Sequence, residues 1–455
     1  MTGGRWRKSW TPNSVIPSAI RSRSWTNCLL AQTANCSISF QKFPPSGNER
    51  IMSNKNPQRV LMLVENNPFW RDVRVRQEAQ ALKDAGYAVS VICPGMAGRK
   101  FHEEMEGIHI FTYPSPYQGH GFIGYAYEYG YSLLAMFLVS LHVFARRGFD
   151  IIHAANPPDT AVLIALFYKI FGKRFVYDHH DLSPEVFRLR FGAEKGIARL
   201  LYGILIFLER LSCRVADLVI ATNQSYKNIE IQRAGIPESR IAVVRNGPDL
   251  TRLRLVEFPP ELRRDGKTTI GYLGIIGYQD GVDHLLNILR ILAYELNRRD
   301  FFCVIAGGGD ALDDLKKQAR ALNLDEFVMF TGYIPHEDVA KYISAADICV
   351  APEKPTPFNH YSTIIKVMEY MALGKPVVGF DLIEHRYSAR DAALYAQGGE
   401  DLDFARKIVM LMDDPVQREA LGRLGRERAE KVLDWRHQSR VLVEAYGKMT
   451  ASAPQ

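Results

Sequence analysis

The chain reads as an α/β protein of two Rossmann-like, doubly wound domains facing one another across a cleft. Three observations lead there. At 455 residues it exceeds one ordinary core, and two domains of ~200 residues fit its length. From Arg59 onward, short apolar runs alternate with amphipathic helical segments, the pattern of a parallel sheet covered on both faces. That series breaks once, over the irregular stretch 248–267, and then resumes.

The first series opens with RVLMLV (59–64), followed by VRVRQEAQALKDAG (73–86), a helix with one apolar face and Gly86 as its stop. YAVSVIC (87–93) is the next strand, and further strands are expected at 108–112, 150–153, 174–178, 217–221 and 241–244. The second series has strands at 268–273, 301–306, 327–331, 348–351 and 376–379. A last apolar-periodic helix, 435–449, follows a long polar one and is expected to reach back to the first domain. The expected division is 1–57 as a disordered leader outside the fold, 58–250 as the first domain, 266–432 as the second, and 433–450 as the crossing helix.

Composition narrows the function classes. Of the net charge of +7, +6 falls within residues 1–51, where seven Lys and Arg face only Glu49. The remaining body is nearly neutral and gives no electrostatic case for nucleic acid. The leader lacks the apolar core of a secretory signal. It reads either as an upstream extension of a chain starting at Met52 or as a transit-type targeting peptide. The six cysteines have neither metal-ligand nor paired spacing, which points to a reducing compartment. No stretch has the ~20 uninterrupted apolar residues that span a bilayer. The apolar runs 131–145 and 200–208 are expected to be buried helices, with interfacial membrane contact as the competing reading.

Ligands in doubly wound sheets sit beyond the carboxyl ends of the strands. In the first domain those ends deliver Glu65 to Asn67, His153, Asn156, the run DHHDLSPE (178–185), Thr222-Asn223 and Arg245-Asn246-Gly247; Arg71 opens the first helix. In the second they deliver Gly274 to Gly277, Gly307-Gly308-Gly309-Asp310, Gly332-Tyr333 and Pro352-Glu353. Glycines between strand and helix permit close approach to a phosphate, although the triplet also suits a tight turn with no ligand. His180 and Asp181 are candidates for a general base or for substrate positioning, against the alternative of a hydrogen-bonded loop. Adjacent histidines point differently, so no metal is expected there. His153, lone among apolar residues, also suits an ordinary buried histidine. Of the first helix's arginines, Arg71 is expected nearest the cleft, with Arg74 and Arg76 solvated.

The most informative stretch is STIIKVMEYMALGKPVV (362–378). Ile364, Val367, Met368 and Met371 form an apolar stripe, while Ser362, Lys366 and Glu369 share a polar face. The Ser-Thr pair is expected to open the helix, and its N-terminus suits a phosphate. Lys366 and Glu369 then reach a nucleotide's phosphates and ribose. The competing reading is a capped surface helix with a solvated ion pair.

With these motifs assembled, the chain resembles the family-four glycosyltransferases of the GT-B fold. The likeness runs from Arg59 to Met449 through RDVRVRQEAQALKDAGYAVSVICPG, DHHDLSPE, ADLVIATNQS, VVRNGPD, GYLGIIGYQDGVD, VIAGGGD, FTGYIP, AADICVAP and KVMEYMALGKPVVGFD. It is similar to the branch found in bacterial exopolysaccharide and lipopolysaccharide clusters. The resemblance implies sugar transfer from a UDP or GDP sugar, retention at the anomeric carbon, and no metal or other cofactor. It places an acceptor in the first domain and the donor in the second. Glu369 matches the family's ribose-contacting glutamate. The partner glutamate eight residues earlier is replaced by Tyr361, and the usual Arg and Lys of the second domain's first loop give way to Ile275 or Ile276 and Asp280. The diphosphate then falls to Lys366, Ser362, Thr363 and the turn 274–277. The family's histidine in the third strand-end loop would fall near Ala155 or Asn156, two or three residues from His153.

The resulting expectation is a cytoplasmic hexosyl-transferring enzyme of cell-surface polysaccharide synthesis. Its catalytic group is His180, Asp181 and Glu369; its donor site is Gly274, Gly277, Gly307, Gly308, Tyr333, Ser362, Thr363, Lys366 and Glu369. The acceptor side is Asn67, Arg71, His153, Asn156 and Asn246. A lipid-linked acceptor brings peripheral contact with the inner face of the plasma membrane. The rivals are a sugar-nucleotide epimerase of the same fold and a non-catalytic sugar-nucleotide-binding scaffold.

Overall fold

The computed structural model describes residues 57–115, 121–193 and 195–451; most of the expected leader lies outside them. The first half runs β1 (Arg59–Leu63), α1 (Val73–Asp84), β2 (Ala88–Pro94), β3 (His102–Met105), β4 (Ile108–Tyr113), α2 (Gly121–Arg146) and β5 (Ile151–Ala155). It continues through α3 (Ala161–Lys169), β6 (Arg174–His179), α4 (Ser183–Phe191), α5 (Gly196–Val215), β7 (Leu218–Ala221), α6 (Gln224–Ile229) and β8 (Ile241–Val243). These strands form one eight-stranded sheet in the order β3-β4-β2-β1-β5-β6-β7-β8. All neighbours are parallel except β3 and β4, a hairpin at the edge.

The second half runs β9 (Thr268–Leu273), α7 (Val282–Arg290), β10 (Phe301–Ala306), α8 (Leu312–Ala321), β11 (Val328–Gly332), α9 (Val339–Ala345) and β12 (Ile348–Ala351). Then come α10 (Pro357–Tyr361), α11 (Ile365–Ala372), β13 (Val377–Phe380), α12 (Ile383–Ala389), β14 (Ala393–Ala396), α13 (Asp401–Asp413), α14 (Pro415–Arg428) and α15 (Trp435–Ala451). The sheet is parallel throughout, ordered β11-β10-β9-β12-β13-β14. Each sheet reverses its direction of winding once, beside β1 and beside β9. Crevices open at such points beyond the carboxyl ends.

The strands are buried because helices cover both faces. In the second half, Leu285, Leu286 and Leu289 of α7 pack with Phe301, Cys303 and Ile305 of β10 and with Phe404 and Ile408 of α13. In the first, Val75, Ala79 and Leu82 of α1 pack on Val60, Met62 and Val89. The same core takes Trp435, Leu442, Tyr446 and Met449 from α15, so the chain's last helix seals the first domain. Two buried side-chain contacts also tie the halves together. Arg245 meets Glu384 at 3.0 Å, and Ser225 donates to the other Glu384 oxygen at 2.7 Å.

Candidate active site

The second-domain side is assembled at the β9–β12 crevice. The turn after β9 packs on the glycine triplet after β10, backbone against backbone. Ile276 N donates to Gly308 O at 3.0 Å, and Gly307 N donates to Gly332 O at 3.1 Å. A Cβ on Gly307 would stand 1.8 Å from Gly274 O, and one on Gly309 2.3 Å from Ile276 O. These glycines are therefore required by the contact between the two turns. At the far end of the first turn, Asp280 accepts from Gly277 N at 2.9 Å. Burial, against the pull of Lys366, raises Asp280 to about 6.

Lys366 reaches over this turn from the first turn of α11. Its Nζ donates to Glu353 Oε1 at 2.6 Å and to Tyr272 OH at 3.0 Å. It also lies over the Tyr272 ring at 4.2 Å. Burial would lower its pKa, but the charge of Glu353 more than offsets that, and the ammonium persists. Glu353, just past β12, is delivered by the strand-end rule but is not among the expected donor-site residues. It stands in no helical register with Lys366, and only the fold brings the two together. Its second oxygen and His385 Nε2 are buried without hydrogen-bond partners among the described residues, 3.9 Å apart.

Glu369 follows one turn after Lys366 on the same face of α11. It is half-buried, and burial raises it to about 7 against the pull of Lys366 and Arg252. Arg252, in the irregular stretch between domains, was invisible to motif reading. The opening of α11 differs from expectation. Ser362 does not cap it; Ser362 closes α10, its hydroxyl donating to Phe358 O at 2.9 Å. Thr363 is not the cap either, and its hydroxyl accepts from Asn223 of the first domain at 2.9 Å. Ile364 occupies the cap position, and no side chain caps the first turn. The amides there remain available to an anion, and the Asn223 contact places the helix start beside the first domain. Tyr333 is exposed beyond β11.

On the first-domain side, Asn156 organises the loop after β6. Its Oδ1 accepts from the backbone N–H groups of His180 and Asp181, and its Nδ2 donates to Asp159 and to Asp181 O. All of its capacity is used inside the protein, so it is a loop-positioning residue and not the expected acceptor contact. His153 is corrected as well. It is fully buried, with Nδ1 2.6 Å from Tyr446 OH and Nε2 3.3 Å from Glu78. The sheet and α15 enclose it.

Arg74 is not solvated. Its guanidinium grips Asp178 through two bonds of 2.9 and 2.6 Å, meets Glu78 at 3.0 Å, and donates to Asn246 Oδ1. That spends the Asn246 side-chain oxygen, so Asn246 too serves the network. Glu78, His153 and Asp178 lie close enough to share a cation, but Arg74 already supplies the positive charge to both carboxylates. The trio does not fit a metal.

Asp178 also fixes His180. The two meet at 3.1 Å through His180 Nδ1; burial would lower the imidazole, but this bond and charge raise it. His179, the neighbour, points the other way into a buried pocket, 3.0 Å from Glu230. Asp181 is raised by burial, against His180 and His179. Burial and Asp181 both push the Tyr226 phenol up, and Ser362 of the second domain pulls against them. Tyr226 therefore lies where the first domain meets the second, with Asp181 beside it. Asn67 is half-buried in the loop after β1, and Arg71 is exposed just before α1.

Two family models tile the chain: "Glycosyltransferase Family 4" over residues 72–252 and "Glycosyl transferases group 1" over residues 255–428. The chain belongs to the glycosyltransferases. Its two halves have the GT-B arrangement, and sucrose-phosphate synthase from Thermosynechococcus elongatus superposes with a TM-score of 0.71. That match has 19% identity and covers 87% of this chain and 100% of the other. Among sequences, this glycosyltransferase is 28% identical over 179 residues to an uncharacterised glycosyltransferase of Methanocaldococcus jannaschii, covering 38% of this chain and 44% of that one. It is 24% identical over 402 residues to glycogen synthase of Mycobacterium tuberculosis, covering 82% and 89%. The match to the archaeal relative thus spans less than half of that protein.

Proposed function

We propose that the enzyme moves a hexosyl group from a UDP or GDP sugar to a lipid-linked or saccharide acceptor in cell-surface polysaccharide synthesis, with retention. The observation that carries this reading is Glu369, a half-buried carboxylate raised to about 7 that accepts no hydrogen bond among the described residues. It sits one turn from an uncapped helix start. A ribose diol supplies the missing donors, and the diphosphate then reaches the first-turn amides, Lys366 and the turn 274–277.

In the transfer, the bond from the anomeric carbon to the diphosphate oxygen breaks and the oxygen keeps the electron pair. The acceptor oxygen bonds that carbon and passes its proton to the departing diphosphate oxygen. Lys366 is already paired with Glu353, so the leaving charge is met largely by amide dipoles, with Arg252 nearby. This reading uses no metal. His180 and Asp181 position the acceptor hydroxyl from the first domain. The enzyme is read as cytoplasmic, at the inner face of the plasma membrane. Hexosyl transfer draws support from two of the three proteins named above, sucrose-phosphate synthase and glycogen synthase, both hexose-handling synthases by name.

The test is a thermal-shift screen of nucleotide sugars on wild type and Glu369→Ala. A charge-assisted hydrogen bond is worth about 1.5–3 kcal/mol, so the variant should bind its donor about 10- to 150-fold more weakly. Equal donor affinity in the two proteins would remove Glu369 from the site, and a wild type indifferent to every nucleotide sugar would overturn the reading.

A further inference from the structure

The first domain carries an apolar stripe on its outer face that no other described residue covers. Along α5, Ile197, Leu200, Ile204 and Phe207 recur at helical spacing and are 62%, 64%, 44% and 61% exposed. Gly196 and Gly203 open on empty space, leaving a shallow groove of about 490 Å³ along the stripe. The expectation that 200–208 is a buried helix fails here. Helix α3 packs beside α5, and α2 beside α3, and each adds exposed leucines, Leu166 and Leu138 among them. Helix α2 is long and apolar enough to cross a membrane by length and composition, yet Met136 and Val143 bind it into the domain core.

Charge says what covers this face. Between 188 and 214 the sequence has six Arg and Lys and two Glu. Of the two acids, Glu209 is buried and held by Arg233 at 2.8 Å, which leaves Glu194 alone. Arg199 and Arg210 are exposed on one flank of the stripe. A second copy of this chain would bring the same cations against them. An apolar stripe edged by cations suits the acyl chains and phosphates of an anionic bilayer.

Orientation agrees. Helix α5 ends just before β7 starts, so its opening lies roughly 30 Å away, toward the carboxyl edge of the sheet. The stripe, confined to the first twelve residues of α5, therefore sits toward the end of the domain where ligands bind in doubly wound sheets.

We infer that the α5 face rests on an anionic lipid surface, with the stripe among the acyl chains and Arg199 and Arg210 at the level of the phosphates. The inference deepens the proposed use of a lipid-linked acceptor and rests on that reading.

The full-length protein should cosediment with phosphatidylcholine vesicles containing phosphatidylglycerol, poorly with phosphatidylcholine alone, and less as salt rises. Replacing both Arg199 and Arg210 with Ala should weaken binding roughly 30-fold, and Leu200→Ser with Phe207→Ser should abolish it. Donor-induced thermal shifts should be unchanged in both variants. Wild type that stays in the supernatant at low salt, or variants that bind as wild type does, would overturn the inference. So would a dimer in size-exclusion chromatography that the Leu200 and Phe207 changes dissociate. Loss of every donor response with vesicle binding intact would strike the transferase reading and leave the bilayer contact standing.

Discussion

Glu369 combines burial with the absence of an internal partner, and that combination has a measurable signature. Its carboxyl is raised to about 7 from an ordinary value of 4.5, so below pH 7 the free enzyme holds it mostly protonated. Ribose hydroxyls donate best to the ionised form. Apparent donor affinity should therefore fall by up to about tenfold for each pH unit below 7, and Glu369→Gln should flatten that slope in calorimetric titrations between pH 5 and 8. The linkage to stability has the opposite consequence. A carboxyl whose folded pKa is raised costs stability as pH climbs from 4.5 through 7, so the Gln variant should melt above wild type at pH 8. Sequence spacing put Lys366 and Glu369 on one face correctly, because helical periodicity is local. The strand-end rule brought Glu353 to the cleft but not to Lys366, since an ion pair between a strand end and a helix thirteen residues on depends on how the chain folds back.

At the level of elements, the strand–helix alternation was legible because parallel strands are apolar on both faces and their helices on one. Boundaries shifted by a residue or two, as between expected 217–221 and observed Leu218–Ala221. The edge strand β3, HEEM, carries no apolar signal because only one of its faces is covered, and it went unread. The Ser-Thr cap failed for a different reason: short α10 ends at Tyr361 and uses Ser362 for itself. The paired glycine turns yield a sharp test. Gly307 has φ +142° and no room for a methyl group, so Gly307→Ala must part the turn after β9 from the turn after β10. It should cost about 3 kcal/mol or more in a urea melt and depress donor binding with it. An unchanged midpoint would mean that the two turns separate freely.

Across the whole molecule, the halves are joined by α15 and by the Arg245–Glu384–Ser225 contact, in which the charged groups are nearly inaccessible. Removing one partner of such a pair leaves the other charge buried and uncompensated. Arg245→Ala should destabilise the protein by about 3–5 kcal/mol, whereas exchanging Arg245 and Glu384 together for apolar residues should recover much of that loss. Scanning calorimetry of the single and double variants checks both. No motif announces this pair, because its members are 139 residues apart and, although Arg245 lies in VVRNGPD, Glu384 belongs to no pattern. The two-domain plan itself was readable from length and the single break in the β–α series.

The two glycine-rich loops that meet after β9 and β10 have one more implication. Where main chain abuts main chain, no substitution can add or subtract a side chain without prying the loops apart, so that wall of the proposed donor pocket is closed to gradual change. Discrimination among sugars must then be written at its margins, in residues such as Ile275, Tyr278 and Tyr333, whose side chains are more than half exposed. Swaps at those three positions are where a change of donor preference should first become selectable.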